Sequence, residues 1–103
     1  MGERRSIIAT DQVRVRIMEL AAGEEVACHY HSEVTDSFFG LTGAILITAR
    51  EPAESWQLAP GGHCEVAALR PHSVRNLSPE LPASYLLVQG VGRYDFNPVE
   101  AEK

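Results

Sequence analysis

Residues 12–20 alternate. Val13, Val15 and Ile17 fall on one face of an extended segment, and Arg14, Arg16 and Met18 on the other. Successive side chains of a strand point to opposite faces, so this period of two predicts a half-buried β-strand. Further strands are predicted at 25–31, 36–42, 44–49, 56–59, 63–69 and 83–91. Pro71 bends the chain into another that begins near His72. The punctuation between them is strong: Ala21-Ala22-Gly23-Glu24, Thr42-Gly43, Arg50-Glu51-Pro52-Ala53-Glu54, Pro60-Gly61-Gly62, and residues 78–82 with two prolines. Residues 32–35 are polar and are expected to leave the ladder as a bulge or loop. Residues 1–10, polar and then apolar at Ile7-Ile8-Ala9, are expected to form an arm or edge strand. Residues 93–103 are expected to be a loosely held acidic tail.

No stretch carries a sustained helical repeat with caps. Short strands with turn signals every eight to twelve residues predict an all-β sandwich or barrel. With 103 residues and 45% apolar content the chain suits one domain, residues 1–103, with its core at about 11–92. So small a core gains stability from pairing with a second copy.

Charge narrows the partners. The formal net charge is −5 and the only lysine is Lys103, which argues against nucleic acid and anionic membrane surfaces. No apolar run approaches the roughly 20 residues of a membrane span. Met1-Gly2-Glu3-Arg4-Arg5 is not followed by the apolar core of a signal peptide, so a cytoplasmic location is expected. There, Cys28 and Cys64 are expected to be reduced and unpaired.

The chemistry concentrates at Cys28-His29-Tyr30-His31. On a regular strand His29 and His31 share a face, with Cys28 and Tyr30 on the other. Two imidazoles converging from one face begin a metal site, although a His-x-His pair also arises by chance. Asp36 follows at a distance that lets the chain return to the same place, and His72 lies in a separate segment.

These residues stand in a pattern that resembles the two motifs of the cupin superfamily. The first is Gly, five residues, His-x-His, three or four residues, Glu, six residues, Gly. Here it runs Gly23, His29-Tyr30-His31, Asp36, Gly43, with Asp in place of Glu. The second is Gly, five residues, Pro-x-Gly, two residues, His, three residues, Asn. Gly61, His72 and Asn76 keep its register, while Ala67 and Leu69 replace its Pro and Gly.

The resemblance implies an antiparallel jelly-roll barrel of six to ten strands. It also implies one divalent transition metal (Fe, Mn, Ni, Zn or Cu) held by His29, His31, Asp36 and His72. Glu33 is an alternative carboxylate, and a site of three histidines without one is a further alternative, as in the superfamily's thiol dioxygenases. The implied function is a metal-dependent enzyme acting on a small molecule, with dioxygenase-like chemistry first. The alternatives are a non-catalytic metal- or ligand-binding cupin, or a cupin isomerase or lyase. Asn76 is expected to brace strand ends and His63 to lie on the surface. Phe38, Phe39, Tyr85, Leu87 and Gln89 are candidates to line the pocket. A homodimer is expected, with its interface at the first strand and around Trp56.

Overall fold

The alternation of residues 13–20 does form a strand, but the apolar triplet points away from the interior. In the computed structural model, which describes residues 2–100, Met18 and Leu20 are buried, and Arg14 and Arg16 lie on their side of the strand. Val13, Val15 and Ile17 are half-exposed on the opposite face.

Ten strands are present: β1 (Gly2–Ala9), β2 (Val13–Leu20), β3 (Glu25–Tyr30), β4 (Thr35–Thr42), β5 (Ile45–Ala49), β6 (Glu54–Leu58), β7 (His63–Val66), β8 (His72–Asn76), β9 (Ala83–Gly90) and β10 (Asn97–Pro98). The described residues contain no helix. All pairings are antiparallel and give two five-stranded sheets, ordered β1-β2-β9-β4-β7 and β10-β3-β8-β5-β6. The arrangement is a jelly-roll barrel. Leu20, Phe38, Ile45, Ile47 and Tyr85 fill the space between the sheets, each at most 1% exposed. Residues 2–9 form the edge strand foreseen for the arm.

Register shows what each face of the first sheet carries. On the inner face, Arg14, Gln89, Asp36 and Val66 form one row across β2, β9, β4 and β7. Arg16, Leu87, Phe38 and Cys64 form the next. On the outer face, Ile8, Val15 and Val88 line up, and beside them Ile17, Leu86 and Phe39. Phe39 therefore does not line the pocket; its ring lies outside, stacked on His63. Trp56 packs against the core with the Arg70 guanidinium over its ring. It is not part of the apolar outer face.

Asn76 braces strand ends as expected. Its amide nitrogen donates to the carbonyls of Leu20, Ala21 and Leu81, and its oxygen accepts from the Ser78 N–H. Cys28 and Cys64 are unpaired, and burial pushes the Cys64 thiol up to about 11.

Candidate metal centre

The two sheets contribute to one cluster between them. β3 and β8 place His29 opposite His72, and His31 follows one residue past the end of β3. β4 of the other sheet supplies Asp36. All four are at most 4% exposed, and one ligand atom from each lies within 4.8 Å of the others.

A bulge makes this possible. Val26 pairs with Val74 and His29 with His72, so two residues of β3, Ala27 and Cys28, oppose one of β8. A regular strand would turn His29 to the face opposite Val26. The extra residue puts both inside. The bulge also frees the Ala27 carbonyl, which accepts the Nδ1–H of His29 at 2.8 Å. Residues 32–34 then form the loop foreseen there, carrying the chain from one sheet to the other.

The other two rings are held alike. His72 Nδ1–H donates to the Arg70 carbonyl at 2.9 Å, and His31 Nδ1–H to the Asp95 carbonyl at 2.6 Å. A carbonyl only accepts, so each of these contacts fixes the proton on Nδ1. Three Nε2 atoms are left facing the centre. Two of them, on His72 and His31, lie 2.9 and 3.1 Å from Asp36 Oδ2. Lone pairs facing a carboxylate oxygen at that distance repel unless a proton or a metal cation lies between them. The donor set therefore fits a divalent metal: three imidazole nitrogens and one carboxylate oxygen, with carbonyls behind the rings.

The charges of the cluster are coupled. Burial lowers the His29 pKa to about 4 and keeps that ring neutral. Burial alone would lower His31 too, but the hydrogen bond and charge of Asp36 raise it. Burial alone would raise Asp36, but hydrogen bonds and charge from His31 and His72 hold it well below the usual carboxylate range. Gln89 Nε2–H donates to Asp36 Oδ1 at 2.9 Å and fixes the carboxylate plane.

Of the alternatives, Glu33 is exposed and accepts the Arg93 N–H, away from the cluster. His63 is on the surface as expected, its side chain 42% exposed. Phe38, Tyr85, Leu87 and Gln89 line the pocket as foreseen. The second motif keeps its shape although its glycine is replaced. Leu69, at that position, has φ 71° and donates its N–H to the His31 carbonyl at 2.7 Å. The left-handed region costs a side-chain-bearing residue roughly 1–2 kcal/mol, which is why glycine is the easier choice there.

Residues 92–100 correct the expectation of a loose tail as far as the described residues reach; residues 101–103 lie outside them. β10 pairs with β3, the Phe96 ring stacks on His29 with centroids 4.3 Å apart, and Tyr94 lies 5.4 Å from His31. The alternating aromatics Tyr94 and Phe96 were the available signal. Arg16 was not singled out by sequence, yet it lines the cavity beside the cluster.

A jelly-roll barrel closed round three histidines and a carboxylate could hold a metal ion. The family model for the cupin domain matches residues 16–89, and the chain belongs to that family. Solved structures agree on the fold. A protein of Klebsiella pneumoniae subsp. pneumoniae with a double-stranded beta-helix domain is 21% identical, with a TM-score of 0.78 over 93% of this chain and 77% of that one. The TT1209 protein of Thermus thermophilus is 26% identical, with a TM-score of 0.75 over 84% of this chain and 80% of that one. An oxalate decarboxylase of Lactobacillus farciminis is 16% identical, with a TM-score of 0.76 over 86% of this chain but only 27% of its own. No curated protein matches the chain in sequence.

Proposed function

We propose that this chain is a metal-dependent enzyme acting on a small organic molecule, with dioxygenase-like oxygen chemistry as the first reaction to test. His29, His31 and His72 would hold the metal through Nε2, and Asp36 through a carboxylate oxygen. The observation that carries the proposal is the fixed tautomer of all three rings, which leaves three nitrogen lone pairs and one carboxylate aimed at a common point. When bound, a transition metal with this N3O set supplies open coordination positions and, if redox-active, a means of activating oxygen. The chain's own residues do the rest. Gln89 orients Asp36. Phe96 and Phe38, with ring centroids 4.3 Å from His29 and 6.1 Å from His72, exclude water from the imidazoles. The cavity, about 110 Å³, has roughly the volume of four waters in the liquid and suits a ligand of a few heavy atoms. That an oxalate decarboxylase shares the fold supports an enzyme without choosing its reaction.

The test is elemental analysis of the purified chain, followed by oxygen uptake with small organic acids, thiols and phenols. About one transition metal per chain with substrate-dependent uptake is expected. Zinc or nickel without uptake would shift the reaction towards an isomerase or lyase. Metal without any turnover would select a binding cupin, and no metal after reconstitution would sink the proposal.

The Asp at the family's Glu position has a structural reason. Asp36 Oδ2 already reaches two imidazoles from a strand packed at the cluster, so a longer side chain would push its carboxylate across the centre. Asp36→Glu is therefore expected to lower metal affinity by roughly ten- to a hundredfold, the scale of a disturbed ligand support. Metal retention against a competing chelator measures it; tighter retention with new turnover would show that Asp36 falls short of the metal.

We also propose that the soluble form is a homodimer joined through the outer face of β2, β9 and β4. Ile17, Leu86 and Phe39 form an apolar row there, and Phe39 and Leu41 are 36% and 41% exposed. Burying that row against its copy also accounts for the outward turn of the β2 valines. Light scattering during size-exclusion chromatography should give a mass of two chains, and Ile17→Glu that of one. A monomeric wild type would overturn the proposal.

A further inference from the structure

Arg16 stands out among the groups of the barrel interior. Its side chain is 11% exposed and lines the cavity beside the histidine cluster. Its Nη2 donates to the Gln89 side-chain oxygen, a neutral partner. The nearest carboxylate, Glu3, lies 3.7 Å from Nη1 and is itself 41% exposed. The Tyr94 ring centroid is 5.5 Å away. Arg16 Nε–H is buried with no partner, the one such side-chain atom among the described residues. A buried guanidinium with an idle Nε–H, whose one carboxylate neighbour is part-exposed and beyond hydrogen-bond length, is costly, and such groups are ordinarily paired more closely.

We infer that Arg16 is the specificity residue of the cavity and holds the carboxylate of a small monocarboxylic acid. The guanidinium fork matches a carboxylate in plane and spacing. The rest of the wall is largely apolar, with Met18, Val26, Val74 and Leu87 facing it, so the remainder of the ligand is short and mostly apolar. Charge points the same way. Arg16 and Asp36 offset each other, so a divalent metal on the histidines would leave their surroundings net positive, which an anionic ligand reduces. The link from Arg16 through Gln89 to Asp36 joins the acid-binding end of the cavity to the candidate ligands. The inference rests on the proposed small-molecule site, but Arg16 and its cavity exist with or without a metal.

The test is calorimetric titration of the full chain with propionate, lactate and pyruvate and with their neutral amides. It is run on the protein as purified and again after treatment with a chelator, with metal content measured in each sample. The acids are expected to bind roughly ten- to a hundredfold more tightly than the amides in both states, the scale of charge-assisted hydrogen bonds in a desolvated site. Arg16→Met should remove that preference. Equal binding of acids and amides, or no binding of any acid at millimolar concentration, would overturn the inference. So would a preference that survives in Arg16→Met, since another group, the metal included, would then hold the acid. If Arg16→Met does not fold, Arg16→Lys replaces it. Its point charge lacks the fork, so weaker acid binding that still exceeds amide binding is expected, and unchanged acid binding would count against Arg16. A wild type that takes up no metal on reconstitution would defeat the metalloenzyme proposal, while the acid and amide comparison would still decide this one.

Discussion

If the proposed metal is bound, His72→Ala is expected to remove it. His72 is 1% exposed, its Nε2 is 2.9 Å from Asp36, and its Nδ1–H is committed to the Arg70 carbonyl. Removing it takes one of four donors and leaves no replacement, because the remaining histidine, His63, is on the surface of the other sheet. The loss of affinity should exceed the roughly hundredfold that removal of an outer-shell partner costs. Elemental analysis after dialysis reads the result, with His63→Ala as the control that keeps its metal. Equal metal in His72→Ala and wild type would remove this histidine from the ligand set. Circular dichroism shows whether the barrel survives; β8 keeps its backbone pairings with β3 and β5, so it should.

The second large effect is expected at Gly40, far from the cluster in chemistry but on the same strand as Asp36. A Cβ at Gly40 would lie 2.4 Å from the Ala59 carbonyl oxygen and 3.1 Å from its carbon. Neither atom can move aside easily. Gly40 also exchanges hydrogen bonds with the turn after β6, donating to the Gly62 carbonyl and accepting from the Gly61 N–H. Gly40→Ala must push this turn outward, at a cost near the top of the roughly 1–3 kcal/mol of an overpacked interior. For a chain of this size that lowers the melting temperature by on the order of 10 °C. Gly2→Ala, where nothing lies within 4 Å, should leave it unchanged. A Gly40→Ala protein that melts with the wild type would show that the turn yields freely.

Most of the centre could be located from sequence because its residues obey local rules. His29 and His31 sit at strand spacing, and the motif spacings carried Asp36 and His72 into the same group. Three features escaped for identifiable reasons. The β3 bulge is a property of pairing with β8: residues 25–31 by themselves give no sign that Val26 and His29 share a face. The facing of β2 was ambiguous because both its faces hold apolar residues. Met18 and Leu20 marked the inner one, while arginines are ordinarily read as exposed, and this concealed Arg16. The tail looked loose because its composition is acidic and contains proline. Only the structure shows Phe96 on His29 and the Asp95 carbonyl on His31.

That last contact sets an order of assembly. His31 and Asp95 are 64 positions apart, and a ribosome adds roughly 5–20 residues per second. Several seconds therefore separate the synthesis of the imidazole from that of the carbonyl that fixes its proton. His29, His31 and Asp36 emerge as a partial set, with His72 still unmade and the ring of His31 free to take either tautomer. A cation met at that stage finds three of the four donors and no closed barrel. For the proposed metal, all four donors are thus held in place only in the finished fold, by both sheets and the returning β10 segment.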